Sequence, residues 1–294
     1  MDYFTIKQTY YAGQYTETLK EIEKVTDQDD ETIVFYKSKS QLSLNNYTKN
    51  QSSTSLGKIF DLYAEFLKSR NIKKLQSQVI LEKATSFELN LLATAQAILG
   101  QYDESLETCT EGINKSEEAG SSEMILLAVQ VALLIEKPSL AKSIFETYAN
   151  NNEDLSGDAE QIINQAESYL KYSTSEDVAG SNFYYYEEMA QTFPSWKTQL
   201  ALLNSHLQQL NIEEAGEIAD LLDSDFYSVE QKEVGAAYKE HFLAAKINLS
   251  HIVGETDSDA LRDELRKVNP HHPLIAANKQ MNDKFDEIIA KYSS

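Results

Sequence analysis

Between residues 87 and 113 the chain reads FELNLLATAQAILGQYDESLETCTEGI, and apolar side chains recur there at helical spacing twice over. Leu91, Leu92, Ala95, Ile98 and Leu99 follow the i, i+3, i+4, i+7 pattern, which predicts one helix with a buried face. Gly100 ends it, because glycine takes the left-handed cap conformation at little steric cost. Asp103 and Glu104 then suit the positive end of a second helix, whose stripe is Leu106, Cys109 and Ile113. One such pair cannot bury its own apolar face, so pairs must stack. Residues 3–25 repeat the theme. Tyr3, Phe4, Ile6, Tyr10 and Tyr11 precede Ala12-Gly13-Gln14-Tyr15, and Thr18, Leu19, Ile22 and Val25 follow. Thr18 stands after Tyr15 as Ser105 stands after Tyr102, a small residue at the same offset.

Further segments carry the same periodicity. Residues 56–67 predict a clear helix, 72–81 another, and 123–135 and 138–148 a further pair with Pro138 near the start of its second helix. Residues 159–172, 183–193, 196–210, 212–222, 238–251 and 260–268 continue the series, and 273–292 is a last helix with one polar face. Residues 26–85 are irregular, with an acidic connector at 27–31 and a polar loop at 45–55. The Gly-x-Tyr turn followed by a small residue resembles the turn of a tetratricopeptide repeat, and the better-matched units repeat at about 34 residues. The fold class expected is therefore all-α: a tetratricopeptide-like, right-handed α-solenoid over residues 1–294 as a single domain. It would comprise about six helix pairs, closed by a capping helix at 273–292.

Composition narrows the function. Acidic residues outnumber basic ones by 47 to 26, for a net charge of −21, which disfavours binding to nucleic acid or anionic lipid. Cys109 is the single cysteine, so no internal disulfide forms, in keeping with a reducing compartment. The start MDYFTIKQTYY does not read as a signal peptide, and the apolar run 124–135 falls short of the ~20 residues that span a bilayer. The sequons at Asn46, Asn50, Asn114 and Asn248 are read as chance matches, and the protein is expected in the cytoplasm.

No catalytic constellation stands out. Phosphate-binding glycine loops and nucleophile elbows are absent from the sequence. His271 and His272 are adjacent and diverge, which suits a loop better than a chelate, and Cys109 on an apolar stripe reads as a structural thiol. Catalytic, metal and cofactor sites are expected to be none. Binding is the remaining class. In a helical solenoid the first helix of each pair lines the concave side. That face would carry Tyr3, Lys7 and Tyr10, then Phe87, Asn90 and Thr94, then Leu126, Gln130 and Leu133, then Leu200, Asn204 and Leu207. Leucines on that face need a partner, and the tyrosine cluster at Tyr184 offers aromatic anchors. The alternative is an adaptor or co-chaperone module that clamps a short acidic peptide with Lys and Arg. The inferred face supplies only Lys7 for that.

The C-terminal half is more specific. Residues 182–190, NFYYYEEMA, are followed by the helix at 196–210, then by 269–273, NPHHP, and by Phe285-Asp286 and Lys291-Tyr292. With the opening Asp2-Tyr3-Phe4 and the turn at 12–15, this order over the full length resembles the epsilon subunit of coatomer, the COPI vesicle coat, in its fungal form. The resemblance implies a non-enzymatic coat subunit without cofactor. It implies a solenoid that curves around and stabilises the C-terminal domain of the coatomer alpha subunit, touching other subunits indirectly. It also implies a role in Golgi-to-ER and intra-Golgi transport, with a cytoplasmic protein peripheral on Golgi membranes and COPI vesicles, reaching the membrane only through the coat.

Overall fold

The computed structural model describes residues 3–115, 119–152, 157–254 and 258–292. Among these, seventeen helical segments and no strand are found. The helices gather into two compact units, residues 1–185 and 186–294, each described by itself.

Unit 1 begins with α1 (Phe4–Tyr11) and α2 (Tyr15–Glu23), followed by α3 (Glu31–Ser43), α4 (Ser55–Ser69) and the short α5 (Lys73–Gln78). Then come α6 (Ser86–Ile98), α7 (Tyr102–Ile113), α8 (Ser121–Leu134), α9 (Pro138–Asn151), α10 (Gly157–Thr174) and the first residues of α11 (Ser181–Thr192). The two Gly-Gln-Tyr turns are built alike, with Gly13 and Gly100 at φ +82° and +77°. The small residues after them let the second helix approach the first. The Ser105 hydroxyl donates to the Ala93 carbonyl at 2.8 Å, and the Thr18 hydroxyl to Thr9 Oγ1 at 3.0 Å.

The irregular region 26–85 is organised by side chains. Asp30 caps α3 by accepting from the Thr32 and Ile33 amides. Asp61 on α4 accepts from Tyr47 Oη at 2.9 Å and the Asn50 amide at 2.8 Å, and Asn50 Nδ2 donates to Ser38 Oγ at 2.8 Å, pinning the polar loop onto α3 and α4. A capping box of Thr85 and Glu88 starts α6. Helix α8 packs against α6, α7, α9 and α10, and α1 packs against α3 and α10 as well as α2. The first helices of the chain thus cover the inner faces of the later ones. Ile98 and Leu99, expected on the buried stripe of α6, are instead 42% and 37% exposed, at the end of the helix just before Gly100. Cys109 is fully buried, and burial pushes its thiol up to about 12, so it is an inert packing group at neutral pH.

Unit 2 holds the rest of α11, then α12 (Trp196–Gln209), α13 (Ile212–Asp223), a π-helical turn Phe226–Glu230, α14 (Lys232–Val253), α15 (Ser258–Val268) and α16 (Pro273–Tyr292). Ser195 and Thr198 cap α12 reciprocally. Its only tryptophan, Trp196, donates from Nε1 to the Tyr227 carbonyl at 3.2 Å and packs on Gly235, where a Cβ would meet the indole at 2.9 Å. Helix α14 starts at Lys232, six residues before the periodicity suggests, because the π-turn feeds directly into it. The closing role expected of α16 is confined to its first turn. There Ile275 is buried, and Leu274 packs on the cluster of Leu243, Ile247 and Leu265. Beyond that turn its apolar stripe is exposed.

Candidate partner-binding surface

The residues expected on one concave face divide sharply by environment. In unit 1, α1, α3, α6 and α8 converge on Glu123, the third residue of α8. Lys7 Nζ lies 3.4 Å from Glu123 Oε1, both side chains being buried. Tyr36 Oη donates to the same oxygen at 2.6 Å, and the Tyr11 hydroxyl lies 3.4 Å from that of Tyr36. Asn90 Nδ2 donates to the Glu123 carbonyl at 3.3 Å, and Thr94 Oγ1 donates to the Asn90 carbonyl at 2.7 Å. The Tyr10 ring meets Tyr11, Tyr15 and Tyr36 at centroid distances of 5.2, 5.6 and 5.0 Å. Phe87 is stacked on Phe35 at 4.4 Å and fully buried. Burial holds the phenols of Tyr36 and Tyr11 well above their ordinary pKa, and the nearby Glu123 carboxylate adds to it. For Tyr10 burial again dominates, with Tyr15 the next cause.

The structure therefore brings Lys7, Tyr10, Phe87, Asn90 and Thr94 together, as an internal junction. Tyr3 sits at its edge and donates to Asp30 Oδ2 at 2.8 Å. Leu126 is buried in the neighbouring cluster with Ile125, Val129 and Ile162, while Leu133 is half-buried and Gln130 is exposed. In unit 2, Leu200 and Leu207 are buried and Asn204 is half-buried, its Nδ2 donating to the Leu200 carbonyl at 2.9 Å. Leu126, Leu200 and Leu207 are thus covered by the chain's own helices. The argument that they would face water without a partner does not hold for them, because α9 and α10 pack on α8 in unit 1, and α13 and α14 pack on α12 in unit 2. Tyr184 is 61% exposed.

Two features escaped the sequence reading. Glu123 is the first residue of the helix expected over 123–135, and nothing local in the sequence marks it as the buried counter-charge of Lys7. The α16 stripe was read as a cap, yet Met281, Phe285, Ile288 and Tyr292 are 66%, 64%, 53% and 86% exposed. Their i, i+4, i+7, i+11 spacing is that of a helix seam made for another helix. Among the described residues, no group of His, Cys, Asp and Glu could hold a metal ion, and no helix is long and apolar enough to cross a membrane.

The family described as coatomer epsilon subunit matches residues 2–293. The coatomer subunit epsilon of Saccharomyces cerevisiae is 50% identical over 295 residues, covering 100% of this chain and 99% of the yeast protein. A match of that extent leaves no part of the fold outside it. The chain belongs to the coatomer epsilon subunit family, whose members are structural components of the COPI coat rather than enzymes.

Proposed function

We propose that this chain binds and stabilises the C-terminal domain of the coatomer alpha subunit, and through it serves Golgi-to-ER and intra-Golgi vesicle transport. The full-length family match carries this reading. In it, residues 1–294 act as one tetratricopeptide-like right-handed array, cytoplasmic and peripheral on Golgi membranes and COPI vesicles. Contact with the membrane and with other coatomer subunits comes through the assembled coat. Large apolar side chains exposed on α16 support a permanent protein interface, for which more than ~2,000 Å² is typical. The accessible members of the inferred set, Tyr3, Gln130, Leu133, Tyr184 and Asn204, are the proposed contacts beside that stripe. Lys7, Tyr10, Phe87, Asn90, Thr94, Leu126, Leu200 and Leu207 support them from within the fold.

Size-exclusion chromatography with light scattering, on this chain alone and mixed with the alpha C-terminal domain, tests the proposal. A one-to-one complex that survives high salt is expected of an apolar interface. Separate elution at micromolar concentrations would overturn it.

A further inference from the structure

We propose that unit 2 carries a second docking site, a groove that receives a short acidic segment of a partner protein bearing an aromatic side chain. The groove is a cavity of about 360 Å³ between the start of α12, the end of α13, the π-turn, α14 and α15. Its floor is aromatic. Trp196 meets Tyr227 and Phe242 edge-to-face, each at 5.7 Å, and the three residues are 5%, 2% and 6% exposed, so only a small part of each faces the cavity. Gly235 lets α14 pack directly on this floor, since a Cβ there would meet the indole at 2.9 Å. The wall at Phe226–Glu230 is a π-turn, a helix form that occurs frequently at functional sites.

The rim is basic in a chain of net charge −21. Lys232, Lys239 and Lys246 line the cavity from α14, seven residues apart and so on one face of the helix. Lys246 pairs with Asp223 at 2.6 Å and Lys239 with Glu264 at 2.8 Å, while Lys232 has no carboxylate within ion-pair distance among the described residues. The side chains of Asp223 and Glu264 are 51% and 48% exposed, so these pairs are weak and exchange readily for an incoming carboxylate. Lys246 Nζ also lies 5.2 Å from the Phe242 ring centre, so the floor and the cationic rim are contiguous. Aromatic floor and surplus lysine together select an occupant that is acidic outside and aromatic at its centre. A basic or purely aliphatic segment satisfies only part of the site. The inference stands on these contacts and is independent of the binding of the alpha subunit.

Trp196 is the only tryptophan of the chain, so its emission reports on this groove alone. The probe is a blocked pentapeptide, Asp-Glu-Phe-Glu-Asp, titrated into the full chain. Control peptides carry alanine for phenylalanine, or lysine for every acidic residue. A saturable change in Trp196 emission with the acidic aromatic peptide is expected, and little with either control. Lys232→Glu combined with Lys239→Glu weakens it by about tenfold, since both are exposed rim charges. Ala236→Phe, on the exposed groove wall, abolishes it, with helicity by circular dichroism verifying the fold of both variants. No response at millimolar peptide would overturn the proposal. So would an equal response to the lysine or alanine peptide, or affinity untouched by folded variants.

Discussion

The ring of Phe87 lies stacked on Phe35 with no exposure to solvent, whereas the ring of Phe285, also on the apolar stripe of a helix, is 64% exposed. The rings buried to 0–1% exposure, Tyr36, Phe60, Phe66 and Phe87, all belong to unit 1, whereas unit 2 buries aliphatic side chains such as Leu203, Leu222 and Leu265 as completely. Unit 1 closes its apolar surface on itself by bringing α1 and α3 across α6 and α8. Unit 2 leaves a helix seam and a lysine-rimmed groove open. The lesson is that periodicity marks which side of a helix is apolar, and says nothing of whether the cover comes from the same chain or from another. Variants can break or sharpen that contrast, because a residue in a closed core is read out as stability and one on an open face as binding.

The largest effect is expected from Phe87→Ala. Truncating a fully buried aromatic ring costs about 3–5 kcal/mol, through lost transfer energy and the cavity left behind. Chemical denaturation followed by circular dichroism measures it. A cost below about 1 kcal/mol would mean that the site collapses freely, and the closed-core description of unit 1 would fail.

Lys7→Met comes next. It leaves the buried Glu123 carboxylate without its cation, and breaking one side of a buried pair costs about 3 kcal/mol or more. Adding Glu123→Leu should restore part of that loss, because the uncompensated charge goes with it. A double variant no better than Lys7→Met alone would show that the Glu123 carboxylate is held by the Tyr36 hydroxyl rather than by charge pairing.

The same junction predicts a pH response. The folded state holds the Tyr36 phenol well above its ordinary value of 10.0, chiefly through burial. Above about pH 10 the unfolded chain therefore releases protons that the folded chain keeps, so stability is whole below that pH and falls as pH rises through it. Each phenol kept neutral contributes about 1.4 kcal/mol per pH unit. Tyr36→Phe should make the alkaline fall shallower, while costing about 1–2 kcal/mol at neutral pH for the lost hydrogen bond to a carboxylate. An unchanged alkaline slope in that variant would assign the fall to other groups.

Gly100→Ala is smaller and tests the turns alone. Nothing lies within 4 Å of the added methyl, so its cost is the left-handed backbone at φ +77°, about 1 kcal/mol. That turn was legible in the chain because glycine, the apolar stripe before it and the small residue after it are all local signals. Helix limits such as Pro138, Pro194 and Gly254 were legible for the same reason. What stayed hidden was long-range. Lys7 and Glu123 are 116 positions apart in number and meet only because α1 returns across α8. Leu126 and Leu200 read as an open face because periodicity cannot show α9 and α10 packed on α8, or α13 and α14 packed on α12. Leu210, at φ +62° without being glycine, ends α12 where no local residue announces a left-handed cap.

The smallest effect on stability, and the one that decides the contrast, is expected from Phe285→Ser with Ile288→Ser. Both side chains are more than half exposed, so removing them should change unfolding by no more than about 0.5 kcal/mol. Their loss should instead weaken the proposed complex with the alpha C-terminal domain, because exposed apolar side chains on one helix face contribute only when another surface covers them. A marked fall in the free chain's melting temperature would show that α16 is already packed in solution, and unit 2 would then be closed like unit 1. Unchanged melting with unchanged complex formation would move the alpha interface away from α16, to the accessible residues around Tyr184 and Gln130. Only unchanged melting with lost binding leaves unit 1 as the closed core and α16 as the face that the partner completes.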